Sequence, residues 1–133
     1  MNLQAVNANV SGVPFFRFLS FEIREIGELH AQAEMTFAMR HIGNPVMEYY
    51  HGGIIASLME ATCAIAVRPD FSEFPAKPIN LTVDYLRPAV KGPLFAHALV
   101  TRKGKRIASV SANAWQTDRE KPVAEGLYHF LLV

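Results

Sequence analysis

Residues 29–37 alternate along the chain. Leu29, Ala31, Ala33, Met35 and Phe37 fall on one side, and His30, Gln32, Glu34 and Thr36 on the other. A period of two predicts a half-buried strand. Residues 19–26 predict an earlier strand, with Gly27-Glu28 as the tight turn between them. From His51 the period lengthens. Ile54, Ile55, Leu58, Met59, Thr62, Ile65 and Ala66 recur at helical spacing, and Ala56, Ala61 and Ala64 add strong helix formers. Pro69, after Arg68, ends that helix. Four strand-like runs follow, at about 78–86, 94–102, 106–116 and 123–132. The links between them are short, which favours antiparallel hairpins over crossover helices. Residues 1–12 read as a loose segment or short helix closed by Gly12 and Pro14, and 40–50, with Gly43 and Pro45, as a loop.

One long helix and about six strands make an α+β fold. A helix that is apolar on most sides must be wrapped by the sheet to hide that surface. Residues 106–116 agree, because Ala108, Val110, Ala112 and Ala114 put small side chains on one strand face, where a helix can sit close. No repeat or linker-like stretch divides the 133 residues, so a single domain over 1–133 is expected.

Composition narrows the class of function. The formal net charge is +1, which gives no general attraction to nucleic acid or to an anionic membrane. The single cysteine, Cys63, cannot form an internal disulfide and suits a reducing compartment. The most apolar stretch, 54–67, is interrupted by Glu60 and too short to span a bilayer. No basic stretch followed by an apolar run marks a secretory signal. A cytoplasmic protein is expected. The five histidines lie without short spacings and only one cysteine accompanies them, so neither a metal site nor a cofactor is expected.

The informative chemistry lies around the helix. Gly52 and Gly53 stand at its start, where backbone N–H groups lack intrahelical partners and the dipole is positive. Glycines there allow close approach of a substrate, and such an N-terminus can hold a carbonyl oxygen as it gains charge. A loop end would use the same glycines. Glu60 sits in mid-helix between apolar neighbours. Such a carboxylate is either hydrogen-bonded, functional or on the one solvated stripe, and desolvation would raise its pKa and make it a better proton acceptor or nucleophile. On one helix, Gly52 and Glu60 are separated by roughly 12 Å of rise and about 80° of rotation. They cannot both reach one carbon atom. If both serve one site, the helix start of one subunit must meet Glu60 of another, and a dimer carries two such sites.

Asn44, then His51-Gly52-Gly53, then Glu60, then Val83-Asp84-Tyr85-Leu86-Arg87-Pro88-Ala89, resembles the hot-dog-fold thioesterases of the phenylacetate-pathway type. The likeness runs from about residue 14 to 132. It implies a central helix wrapped by an antiparallel sheet, acyl-CoA as substrate, and homodimers paired into tetramers with sites at subunit interfaces. By position, Gly52 would offer its N–H to the thioester carbonyl. Glu60 of the partner would attack or activate water, and His51 and Asn44 would position substrate or water. Two positions depart from the pattern. Asn44 lies seven residues before the histidine where relatives place it six before, and Ala64 stands where some relatives carry a hydroxyl.

The remaining candidates are weaker. Gly53 would contact the substrate, and Tyr49, Tyr50, Leu58 and Met59 would line an acyl pocket, though core residues look the same. Arg102, Lys103, Lys105 and Arg106 surround Gly104 at a hairpin, and Arg87 and Lys91 lie at another strand end; coenzyme A phosphates or plain solvent would explain either group. Cys63 reads as a buried small hydrophobe. Two alternatives stand beside the thioesterase. Residues 41–47, beginning His41-Ile42-Gly43-Asn44-Pro45, faintly resemble the loop of hot-dog acyl-carrier-protein dehydratases, which implies enoyl hydration. A non-catalytic acyl-CoA-binding protein is the other.

Overall fold

The structure, a computed structural model, describes residues 1–71 and 76–132. Its chain order is α1 (Leu3–Ser11), α2 (Pro14–Leu19), β1 (Phe21–Ile26), β2 (His30–Met35), a 3₁₀ turn (Met39–His41), β3 (Ile42–Asn44), β4 (Tyr49–Tyr50), α3 (Gly52–Val67), β5 (Lys77–Tyr85), β6 (Leu94–Lys103), β7 (Ile107–Trp115) and β8 (Ala124–Leu131). Six strands form one antiparallel sheet in the order β1-β2-β6-β7-β8-β5, and β3 and β4 form a separate short hairpin.

The alternation of β2 is real: Ala31, Ala33 and Met35 are fully buried and their neighbours half-exposed. Strand register turns that local pattern into a platform. Ala33, Ala96, Ala114 and Ala124 lie in one cross-strand row, and Ala31, Ala98, Ala112 and Gly126 in the next. Small side chains there let α3 lie close to β2, β6 and β7. Onto that floor α3 presses Ile55, Leu58, Met59, Ile65 and Val67. Each such burial stabilises the fold by roughly 1.5–3 kcal/mol. One flank of α3 stays open, formed by Gly53, Ala56, Ser57, Glu60 and Ala64.

The N-terminal segment is more ordered than its composition suggests. Asn2 caps α1 by accepting from the Ala5 amide at 2.8 Å. The unassigned residues after Gly12 form α2, started by Pro14 in its first turn and stopped by Ser20 in a left-handed conformation. Consequently β1 begins at Phe21 rather than at residue 19. The expected loop over 40–50 also contains the 3₁₀ turn and the β3–β4 hairpin.

The two sheet edges differ. Along β1, the Asn7 amide donates to Ile23 O at 2.9 Å and accepts from Ile23 N at 2.8 Å, so α1 occupies that edge as a strand would. Among the described residues nothing covers the outer edge of β5. Its nine residues are exposed except for the half-buried Val83, and they include Ile79 and Leu81.

Candidate active site

The start of α3 is held from four sides. His51 is its N-cap, and the ring Nδ1 accepts from the Gly53 amide at 2.9 Å. The His51 amide donates to the His41 carbonyl at 2.8 Å. Gly43 lies so close that a Cβ there would stand 2.7 Å from His51 Cα, so only glycine fits. From β5, the Tyr85 hydroxyl donates to the Gly52 carbonyl at 2.8 Å. With Gly53 capped by its own histidine, the Gly52 N–H is the first-turn donor with no acceptor among the described residues. It opens beside a cleft of about 340 Å³ lined by Tyr49, Tyr50, Ile55, Tyr85, Leu86 and Arg87, among others.

His41 makes this frame rigid. It is fully buried, stacked on Tyr50, and its Nδ1 accepts from the Ala38 amide while Nε2 faces the Phe18 carbonyl at 3.1 Å. Burial lowers its pKa, with the Arg40 guanidinium adding to the effect and the Phe18 carbonyl opposing it. The neutral tautomer carrying its proton on Nε2 satisfies both contacts. Neither nitrogen is then free for the enoyl chemistry that the 41–47 loop suggested.

Glu60 lies half-buried on the open flank of α3, with no hydrogen-bond or ion-pair partner among the described residues. Desolvation raises its pKa above the usual glutamate value. The Tyr128 hydroxyl donates to the Ala56 carbonyl one turn earlier, at 2.8 Å. Because Tyr85 reaches Gly52 from β5 and Tyr128 reaches Ala56 from β8, this flank faces the β8–β5 end of the sheet. Burial, with the Glu60 charge adding, pushes the Cys63 thiol well up, so the cysteine stays a protonated core residue.

Several sequence candidates have other employment. Asn44 is exposed and its Oδ1 accepts from the Val46 and Met47 amides at 3.1 and 3.0 Å, closing the β3–β4 turn. The extra residue in its spacing, and Pro45 beside it, make it a turn former rather than a side chain aimed at the helix start. Leu58 and Met59 are core residues with no exposure. Tyr50 is 5 % exposed, and its hydroxyl donates to Gly92 O at 2.6 Å, tying the 86–93 segment to the site; burial pushes its pKa up to about 12. Lys103 donates to Val67 O at 2.9 Å and so closes the far end of α3. Arg102, Lys105 and Arg106 are exposed at that same end. Residues to which sequence reading gave no role of their own are Tyr85, Tyr128, His41 as a support, and Gln116, whose amide clamps Val90 on both sides.

Among the described residues no group of three or more His, Cys, Asp or Glu is placed to hold a metal ion, and no helix is long and apolar enough to cross a membrane. An antiparallel sheet wrapped around one apolar helix, whose first turn keeps the Gly52 N–H open beside a cleft, defines a hot-dog protein of the thioesterase class. The family model of the thioesterase superfamily matches residues 47–123, which take in β4 to β7 and stop just before β8. Among solved structures, a protein from the thioesterase superfamily is 30 % identical over 98 % of both chains, with a TM-score of 0.88. A Chromobacterium violaceum protein is 32 % identical over 98 % of this chain and 90 % of its own, with a TM-score of 0.76. A thioesterase from Haemophilus influenzae, 21 % identical, covers 100 % of this chain and 91 % of its own at a TM-score of 0.85, a likeness of fold alone. No curated protein matches. The chain belongs to the thioesterase superfamily.

Proposed function

We propose that the protein hydrolyses acyl-CoA thioesters at a site shared between two copies of the chain, with the Gly52 amide of one subunit facing Glu60 of the other. The observation that carries this reading is the division of labour at the start of α3. His51 occupies the Gly53 amide, which leaves the Gly52 amide as the donor for an oxyanion. The thioester oxygen rests on that N–H. The partner's Glu60 supplies the electron pair for attack, directly or through a water it deprotonates, and the carbonyl becomes tetrahedral. By the water route, collapse breaks the C–S bond, gives the free acid, and passes the proton taken by Glu60 to the departing thiolate. By direct attack, collapse expels the thiolate and leaves an acyl-Glu60 anhydride, which water then hydrolyses to the acid and free Glu60.

The dimer follows from three features that point the same way. β5 is an uncovered strand edge bearing Ile79 and Leu81, while α1 blocks the opposite edge. The open flank of α3, with Glu60 on it, faces the β5 end. Its Gly53, Ala56, Ser57 and Ala64 are small enough for a second helix to approach. Antiparallel pairing of two β5 edges would run the two α3 helices in opposite directions, the arrangement the reaction needs.

Release of thiol from a panel of acyl-CoAs tests the reading. Glu60→Gln is expected to stay dimeric and lose at least about 100-fold in kcat. A folded, dimeric Glu60→Gln protein that hydrolyses the panel at the wild-type rate would remove Glu60 from the mechanism.

A further inference from the structure

The open flank of α3 carries two polar side chains, Glu60 and Ser57, and both residues are half-buried. Among the described residues neither the carboxylate nor the hydroxyl has a hydrogen-bond or ion-pair partner. An unpaired hydroxyl partly buried beside an unpaired carboxylate is unfavourable unless something bridges the two.

Helix geometry sets where they meet. Each Cα–Cβ bond leans toward the N-terminus, so the Glu60 side chain reaches back over the preceding turn, which holds Ser57. Residues three apart have Cβ atoms roughly 5–6 Å from each other. No direct hydrogen bond joins the two groups, and such a gap fits one water. Ser57 lies about 60° around the helix from Glu60, while Ala56 and Gly52 lie about 40° and 80° to the other side. The Tyr128 and Tyr85 hydroxyls, which donate to the Ala56 and Gly52 carbonyls, reach the helix on that other side. On its own side Ser57 is the sole hydroxyl, since Ala64, one turn beyond Glu60, has none. With Gly52 opposite Glu60 in an antiparallel pair, Ser57 stands level with the partner's Ile55, and in each subunit Ile55 lines the cleft beside Gly52.

A water that attacks a thioester reacts best with both its protons held, so that a lone pair points at the carbon. Glu60 takes one, and the other needs an acceptor. His51 cannot serve, because its Nδ1 already accepts from the Gly53 amide and the neutral ring carries its proton on Nε2. The Thr62 hydroxyl is fully buried and donates to the Leu58 carbonyl.

We propose that Ser57 Oγ accepts the second O–H of the lytic water and so positions that water for Glu60 of the same subunit. As the water oxygen bonds to the carbonyl carbon, Glu60 removes one proton. The second stays on the oxygen, held by Ser57, and leaves with the acid. The C–S bond breaks and the thiolate receives the proton from Glu60. The assignment rests on the shared-site reading above, and it selects the water route within it.

Methanol separates this role from mere packing. It has one O–H, which goes to Glu60, and needs no second acceptor. Turnover in dilute methanol gives acid and methyl ester side by side. Ser57→Ala keeps the flank small, so the dimer is expected to form, as size-exclusion chromatography would verify. Its hydrolysis should slow about tenfold at unchanged KM while the ester forms at its old rate, so the ester-to-acid ratio rises about tenfold. Ser57→Thr, which restores a hydroxyl, should bring the ratio back toward that of the wild type. Equal loss of acid and ester, or loss of neither, overturns the assignment. In rapid-quench experiments thiol and acid should appear together; a burst of thiol ahead of acid marks an acyl-Glu60 intermediate and overturns the water route. A fully active Glu60→Gln protein removes the shared-site reading and Ser57 with it. An inactive Glu60→Gln beside a wild-type Ser57→Ala removes Ser57 alone.

Discussion

The Tyr85 hydroxyl, on the uncovered edge strand β5, donates to the carbonyl of Gly52, 33 residues away at the start of α3, over 2.8 Å. The strand expected to pair with a second subunit thus holds the residue whose amide is to receive the oxyanion. Removing the hydroxyl with Tyr85→Phe should lower kcat by roughly 3- to 10-fold, the worth of about 1 kcal/mol of hydrogen bond, with little change in KM. Gly52→Ala acts on the same contact from the other side, since its Cβ would press on the Tyr85 ring at 3.1 Å. Steady-state kinetics on both variants checks this; a rise in KM alone would mean that Tyr85 only lines the cleft.

Glu60 should couple activity to pH and stability in opposite senses. Its folded pKa is raised by desolvation, so folding disfavours the charged form. Its contribution to stability is full below the unfolded value and is lost as pH rises through the raised folded value. At neutral pH the carboxylate is therefore a cost to the fold, and Glu60→Gln should melt higher than the wild type. The gap should close as pH falls below the ordinary glutamate range. The rate of the wild type should climb with pH through the same raised value, because the carboxylate is the working form. Thermal melts of the two proteins across pH, with a pH–rate profile, measure both; a Glu60→Gln protein that melts lower at neutral pH would mean that the charge is stabilised by a partner.

How much of this was legible in the sequence depends on whether the information is local. The alternation of β2 and the helical spacing of α3 are local, and both elements stand where their periods put them. The spacing of Gly52 and Glu60 on one helix is local as well, and it is the source of the expectation that a site using both residues needs a second subunit. The alanine rows beneath α3 are not, because Ala33 meets Ala96 and Ala114 only once register is fixed. The same holds for Tyr85 on Gly52 and Tyr128 on Ala56. Asn44 shows what motif position leaves out: its side-chain oxygen accepts from the Val46 and Met47 amides of its own turn, a contact set by the local loop. Phe15, Phe16 and Phe18 favour strands by type, and Pro14 overrode them into α2.

Gly43 is expected to be as intolerant as any residue near the site, although it bears no chemistry. A methyl group there would lie 2.7 Å from His51 Cα and 2.9 Å from His51 Cβ, and the His51 backbone leaves little room to yield. Gly43→Ala should cost about 1–3 kcal/mol of stability. By displacing His51 it should also release the Gly53 amide and lower kcat well beyond what the stability loss explains. Chemical denaturation together with kinetics at a temperature where the variant is fully folded separates the two effects. Normal kcat in the folded variant would show that the His51 cap does not set the amide.

The sharpest prediction concerns the register of the two helices. If Gly52 of one subunit faces Glu60 of the other across a two-fold axis, each position on α3 faces a fixed counterpart, and the one halfway between them meets its own copy. That position is Ala56, half-exposed on the open flank with Gly53 and Ser57 beside it. Small residues there allow the close approach that a symmetric disulfide requires, with Cα atoms roughly 4.4–6.8 Å apart. Ala56→Cys should therefore form a covalent dimer under mild oxidation, seen on a non-reducing gel. Cys63 will not compete, since it is fully buried and its thiol is held protonated. Ala64→Cys is the control: it lies on the same flank two turns on, and should stay monomeric on the gel because its counterpart is not itself. Crosslinking at Ala64 instead of Ala56 would mean one helix shifted against the other by about four turns, which carries the partner's Glu60 away from Gly52.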